Sequence, residues 1–132
     1  MKYLLDTCTV SDYFRRTGGV AEALHARPPH ELGISSITEH EIQFGLARQK
    51  RAAPTLQSKV RAFLSVVRVV AFDSAAAQSS AQLRAQAERS GHSIGVLDTL
   101  IAGVAMAHSL VLVTSNTREL SRVDGLELVN WR

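Results

Sequence analysis

Ile94-Gly95-Val96-Leu97-Asp98-Thr99-Leu100-Ile101-Ala102-Gly103-Val104-Ala105-Met106-Ala107-His108 is the stretch on which the fold turns. Its composition predicts an apolar helix of about four turns. A helix that is apolar all round belongs in a protein core. Ala102, Gly103, Ala105 and Ala107 would let neighbouring elements pack close against it. Asp98 is the exception. Its neighbours Val96, Leu97, Leu100 and Ile101 predict burial. A buried carboxylate is costly unless it meets a counter-charge, a dense set of donors or a metal ion. The competing structural reading is an acid in the first turn that complements the helix dipole.

Outward from this helix, short apolar runs alternate with helical segments. Tyr3 to Leu5 predicts a buried strand, closed by Asp6-Thr7. Thr7 to Arg16 predicts a helix that Gly18-Gly19 breaks, and Val20 to Ala26 a second that Pro28-Pro29 stops. Leu32 to Ser36 predicts a strand and Thr38 to Arg51 a helix, with Ile42, Leu46 and Phe44 inward. Ala52-Ala53-Pro54 is a connector. Leu56 to Val66 is helical, and the β-branched run Val67 to Phe72 is a strand. Asp73 or Ser74 caps a long helix that Gly91 ends. Past the central helix, Leu110 to Thr114 is a strand, Ser115 to Leu120 a turn with a short helix, and Leu126 to Val129 a last strand. This alternation predicts one α/β domain over residues 1–132, with a parallel sheet covered on both faces. In such folds the crevice lies at the carboxyl ends of the strands, where strand order reverses. That places Asp6 and Asn116, each just past a strand, at the crevice.

The chain has 132 residues, a formal net charge of +3 and a sequence pI of about 9.5. The basic balance fits a nucleic-acid partner. A single cysteine, Cys8, excludes an internal disulfide and fits a reducing cytoplasm. Met-Lys-Tyr-Leu-Leu-Asp meets an acid before a signal-like apolar run develops, and no run is long enough to span a bilayer. A cytoplasmic protein is the expectation.

Three further acids carry competing readings. Asp6 ends a strand and opens a helix, so it suits a helix N-cap as well as a functional role. Glu41 completes the capping box Thr38-x-x-Glu41, with Ser36-x-x-Glu39 as a rival box. Glu119 could be a solvated charge paired with Arg118 or Arg122. If such acids converge, their mutual repulsion calls for a divalent cation. Oxygen ligands without Cys or paired His favour Mg²⁺ or Mn²⁺ over Zn²⁺.

Other chemistries fit less well. Cys8 and Arg15 are separated by one residue too many for the phosphate loop of tyrosine phosphatases. Asp6-Thr7-Cys8 lacks the second acid of haloacid-dehalogenase-type phosphatases. There is no P-loop or dinucleotide glycine pattern, and His40-Glu41 has no second His four residues on.

Four segments resemble the PIN-domain ribonucleases, specifically the VapC-type toxins of toxin–antitoxin pairs. They are Tyr3-Leu4-Leu5-Asp6-Thr7; Ile34-Ser35-Ser36-Ile37-Thr38-x-x-Glu41-Ile42-x-x-Gly45; Ile94-Gly95-x-x-Asp98-x-x-Ile101-Ala102; and Leu112-Val113-Thr114-Ser115-Asn116-Thr117-Arg118-Glu119-Leu120-x-Arg122-Val123-x-Gly125-Leu126, closing on Asn130-Trp131. They cover nearly the whole chain, in order. The resemblance implies an α/β/α sandwich with a central parallel sheet. It also implies an endoribonuclease dependent on Mg²⁺ or Mn²⁺, with Asp6, Glu41 and Asp98 as its acidic cluster.

The chain departs from the family pattern at two positions. Asn116 stands where PIN domains often have Asp, bringing an amide in place of a charge, and Glu119 takes part of that role in relatives with this Asn-Thr-Arg-Glu run. The metal set is then Asp6, Glu41, Asp98 and Asn116, with Glu119 joining the three acids in catalysis. Cys8 replaces the Asn of the usual Asp-Thr-Asn. It could tune activity, sensitise it to oxidation or simply pack.

Relatives of this type imply the anticodon loop of initiator tRNA as substrate. They also imply a homodimer, a VapB-type antitoxin forming a hetero-oligomer with the toxin, and DNA contact only through that antitoxin. Arg15, Arg16, Arg48, Lys50, Arg51 and Lys59 are candidate phosphate contacts, against the alternative of ordinary surface charges. Two other functions stay open on the residues: a PIN fold that binds RNA or protein without cutting, and a phosphatase of another α/β family.

Overall fold

The computed structural model describes residues 1–49, 51 and 53–132. Five strands form one parallel sheet in the order β3-β2-β1-β4-β5. They are β1 (Tyr3–Leu5), β2 (Leu32–Ser35), β3 (Arg68–Val70), β4 (Val111–Val113) and β5 (Leu128–Val129). The helices are α1 (Thr7–Arg15), α2 (Val20–His25), α3 (Ser36–Ala47), α4 (Pro54–Val66), α5 (Ser74–Arg89), α6 (Val96–Ala107) and α7 (Thr117–Leu120). The sandwich and its parallel sheet are those expected.

The two-residue period of a strand divides the core into two layers. Leu4 and Leu112 point to the side of α5 and α6, where Leu83, Ile101 and Val104 are buried with them. Leu5 and Val113, one residue on, point to the side of α1, α2 and α4 and join Val10, Leu24 and Phe63. Paired register keeps each set on one face, Leu4 opposite Leu112 and Leu5 opposite Val113. Burial on both faces explains why these strands read as continuous apolar runs.

The central helix is close-packed where its small residues fall. Ala102, Gly103 and Ala105 are buried. A methyl group on Gly103 would come within 2.6 Å of Ser80 Cβ and 2.9 Å of the Ala76 carbonyl oxygen on α5. The helix starts at Val96, later than its composition predicts, and its first turn emerges from the core. Val96 is 70% exposed and Leu97 42%. Asp98 is consequently half-buried rather than enclosed.

The start of α3 also differs from expectation. Neither Thr38 nor Ser36 caps it. Ser35, the last residue of β2, accepts from the Thr38 N–H at 3.1 Å. Chain direction decides this: the turn out of β2 comes at Ser35, ahead of both rival boxes. The helix ends at Ala47, so Arg51 lies beyond it, and Phe44 faces solvent instead of the core. Asp73, by contrast, caps α5 through the Ala76 N–H at 2.9 Å, and Gly91 ends that segment with φ of +71°, a region glycine tolerates.

Candidate active site

Strand order reverses around β1, which has β2 on one side and β4 on the other. The carboxyl ends of β1 and β4 therefore form the crevice. Asp6 lies just past β1, only 2% exposed. Its backbone stays in the sheet, donating to Val113 O at 3.0 Å. Its side chain turns back to cap α1, with Oδ1 accepting from the Thr9 N–H at 2.8 Å. The N-cap reading is thus correct, and it fixes the carboxylate at the crevice floor. Thr9 is itself tied to the sheet, its hydroxyl donating to Val113 O at 3.0 Å.

Asn116 joins the other acids. Its Nδ2 donates to Asp98 Oδ2 at 2.8 Å and to Glu119 Oε2 at 3.1 Å. One amide nitrogen so draws together a carboxylate from the first turn of α6 and another from α7. Glu119 pairs with neither Arg118 nor Arg122; the guanidinium of Arg122 lies 3.0 Å from His92 Nδ1. Thr114 completes the chain of contacts. Fully buried at the end of β4, it accepts from the Asn116 N–H at 3.0 Å, and its hydroxyl acts to lower the Asp6 pKa. Sequence reasoning passed over Thr114. A β-branched hydroxyl directly after an apolar strand was the available signal.

Glu41 comes from α3. It follows Thr38 by one turn of α3, and residues so spaced share a helix face. The Thr38 hydroxyl lies 3.2 Å from that of Thr7, which locks α3 against the start of α1. Glu41 is about a quarter exposed, and its Oε2 lies 3.8 Å from His40 Nε2. It makes no hydrogen bond to Asp6, Asp98 or Glu119 among the described residues. The structure joins Asp98 and Glu119 through Asn116, with Asp6 near enough to feel the Asp98 charge, and shows no contact between Glu41 and that group among the described residues.

Burial raises the Asp6 pKa above its ordinary value, and the Asp98 charge adds to the rise; bonds from Thr114 and Thr9 oppose it. No Lys or Arg forms an ion pair with Asp6, Asp98 or Glu119 among the described residues. Negative charge at the crevice is relieved only by neutral donors. The donor set, carboxylate oxygens with one side-chain amide, is of the kind that suits a hard divalent cation. It is incompletely gathered: among the described residues no three of His, Cys, Asp and Glu are close enough to hold a metal ion between them.

Cys8 sits one turn before Asp12 on α1. Although the residue is exposed, its thiol pKa is raised by desolvation and by the charges of Asp6, Asp98 and Asp12, against an opposing contribution from Arg132. Such surroundings disfavour the thiolate that oxidation requires.

The candidate phosphate contacts do not form one group. Arg16 and Lys59 line a groove of about 820 Å³ between α1, α2 and α4, with Tyr13, Phe14 and Phe63. Arg51 lines a separate cleft of about 510 Å³ with Gln43, Arg61 and Leu64. Arg48 lies over the Phe44 ring, Arg15 is an exposed residue at the end of α1, and Lys50 lies outside the described residues.

A parallel sheet between two helical layers, with carboxylates gathered where its strand order reverses, defines a PIN-type nuclease domain. The PIN domain family matches residues 3–126, and the chain belongs to that family. Within the family it is of the VapC type. It is 33% identical to the tRNA(fMet)-specific endonuclease VapC of Shigella flexneri, over 99% of this chain and 98% of that protein. It is 37% identical to a VapC ribonuclease of Rickettsia felis, over 76% of this chain and 74% of that protein. The crystal structure of DNA-bound VapBC from Salmonella typhimurium superposes with a TM-score of 0.90 at 32% identity, covering 100% of this chain and 99% of that one. No helix among the described residues is long and apolar enough to cross a membrane.

Proposed function

We propose that this chain is the toxin of a VapBC-type pair, an endoribonuclease that uses Mg²⁺ or Mn²⁺ to hydrolyse RNA phosphodiester bonds. The observation that carries the reading is the meeting of Asp98 and Glu119 at the Asn116 amide, beside the buried Asp6, with no cationic side chain paired to any of the three acids among the described residues. Asp6, Asp98, Glu41 and Asn116 would hold the ion, and Glu119 joins the three acids as a catalytic group. When bound, a divalent cation polarises a phosphoryl oxygen and makes water a better nucleophile at neutral pH. The chain's own groups position and orient. The Thr9 N–H fixes the Asp6 carboxylate, and the Asn116 amide aligns Asp98 with Glu119. Glu41 would add a further carboxylate oxygen to the ion's ligands.

Likeness to tRNA(fMet)-specific endonucleases supports the anticodon loop of initiator tRNA as substrate. Likeness to solved VapBC complexes, bound to DNA, supports a VapB-type antitoxin as partner. The resemblance further implies a homodimer within the toxin–antitoxin assembly, DNA contact through the antitoxin alone and a cytoplasmic location. The deciding experiment is cleavage of total cellular tRNA by antitoxin-free protein in Mg²⁺, Mn²⁺ or EDTA, beside Asp98→Asn. A discrete metal-dependent cut, lost in the variant, is the expected result.

One observation favours a second reading. The fourth position is an amide, and no three acids are yet gathered. A PIN domain that binds RNA without cutting would show RNA affinity indifferent to EDTA and intact RNA in every lane.

A further inference from the structure

Phe44 is a large apolar side chain on α3 that the fold does not use. It is 52% exposed, although Ile37 and Ile42 of the same helix pack against the core. Its surroundings are ordered. The His40 ring lies nearly parallel to it, at 4°, with centroids 6.5 Å apart. The Arg48 guanidinium lies 5.5 Å from the Phe44 centroid. His40, Phe44 and Arg48 are spaced four residues apart, so they form one exposed stripe along the helix. Phe44 is also one turn beyond Glu41 and shares its side of α3. The stripe from Glu41 to Arg48 runs about 10 Å along the helix axis.

Glu39 and Glu41 open this helix, and beyond them the charge along the sequence is one-sided. From Ile42 to Phe72 the chain contains no Asp or Glu, and it has six cations: Arg48, Lys50, Arg51, Lys59, Arg61 and Arg68. Among the described residues none of these is in an ion pair. An exposed aromatic ring with a parallel imidazole and a flanking guanidinium, followed by a run of chain rich in cations, complements single-stranded nucleic acid. Bases stack on aromatic and guanidinium planes while cations follow the phosphates.

We infer that Phe44, flanked by His40 and Arg48, is a platform on which an unpaired base of the RNA substrate stacks, one helical turn from Glu41. The inference rests on the nuclease reading above and adds its substrate contact. Phe44 is here a substrate-positioning residue. The platform requires the RNA to be single-stranded beside the cut, and a paired strand cannot present a free base face to it.

The test uses a short unstructured RNA carrying a fluorescent adenine analogue, with the full chain in the Asp98→Asn background so that the probe stays intact. Phe44→Ala should weaken binding about 5- to 150-fold, the loss corresponding to one stacked base. Phe44→Trp should restore it, and Phe44→Leu, apolar but without a π-face, should not. In the otherwise unaltered enzyme, Phe44→Ala should raise KM and leave kcat nearly unchanged, with the mass in sedimentation unaltered. Equal affinity in Phe44→Ala, or full rescue by Phe44→Leu, would overturn the platform. So would a halved mass with RNA affinity that follows it, since the face would then belong to a second copy of the chain. If the unaltered protein neither binds nor cuts RNA, the nuclease reading falls as well. If it cuts and Phe44→Ala cuts with the same KM, the platform alone falls.

Discussion

The Asn116 Nδ2 donates to Asp98 Oδ2 at 2.8 Å, so a residue after β4 holds the acid at the start of α6. The same nitrogen reaches Glu119 Oε2 at 3.1 Å. A neutral donor at this position spares the metal-free protein a further buried charge. Asn116→Asp removes both bonds and sets a new carboxylate beside two others. Without metal it should destabilise the chain by about 1–3 kcal/mol, as expected when hydrogen-bonded groups lose their donor. With Mn²⁺ the sign should turn, because the extra carboxylate strengthens a site present only in the folded state. Urea denaturation across a Mn²⁺ series checks this. An equal loss at every metal concentration would count against Asn116 as a ligand position.

Asp98→Asn separates folding from catalysis. Asp98 is half-buried and accepts from Asn116 through one oxygen, which an Asn side-chain carbonyl can reproduce. The folded state should survive with little change in Tm. Loss of a catalytic carboxylate should lower the RNA cleavage rate by at least about a hundredfold, and calorimetry should show weaker Mn²⁺ binding. A variant that cuts at the original rate would remove Asp98 from the site.

Much of this arrangement was legible in the sequence, and the errors share a cause. Tyr3 to Leu5 was readable because an apolar run stops abruptly at an acid, and the strand ends there. The cap of α3 was not, because Ser35, Ser36 and Thr38 all carry suitable hydroxyls and only the turn out of β2 chooses among them. The depth of Asp98 is only partly legible for a related reason: its neighbours speak against full exposure, and the residue is half-buried. Apolar composition marks the helix as a core element but does not say that its first turn passes the carboxyl edge of the sheet, exposing Val96 and Leu97. Convergence of Asp98, Asn116 and Glu119 depends on the order of β1 and β4. Thr114 gives no motif of its own.

Gly103 tests the close packing of α5 on α6. By helix propensity alone, Gly103→Ala should stabilise by roughly 1 kcal/mol. Its new methyl would sit 2.6 Å from Ser80 Cβ and 2.9 Å from the Ala76 carbonyl oxygen, and backbone cannot yield as a flexible side chain can. Overpacking of this kind costs about 1–3 kcal/mol, so the net effect should be destabilising. Ser80→Gly in the same chain should recover part of the loss, because it removes the nearest atom. Thermal unfolding of the single and double variants decides it, and a stabilised Gly103→Ala would show that the two helices separate easily.

Asp6 links stability to pH. Its folded pKa lies above the ordinary value of 3.8, chiefly through burial. The folded chain therefore holds this proton more tightly than the unfolded chain. The stabilising contribution is full below the ordinary value, falls as pH rises through the folded pKa, and stays lost at neutral pH. Asp6→Asn removes the charge and keeps the cap, since Asn caps helices about as well as Asp. In EDTA the variant should equal the original near pH 3 and gain on it as pH rises. At neutral pH a gain of about 1 kcal/mol would raise Tm by about 4 °C in a chain of this size. Saturating Mn²⁺ should cancel the advantage, because only the carboxylate form gains from the ion. Calorimetric scans of both proteins over the acid-to-neutral range, with and without Mn²⁺, measure each part. A variant less stable at every pH would mean that Asp6 serves the fold more than the site.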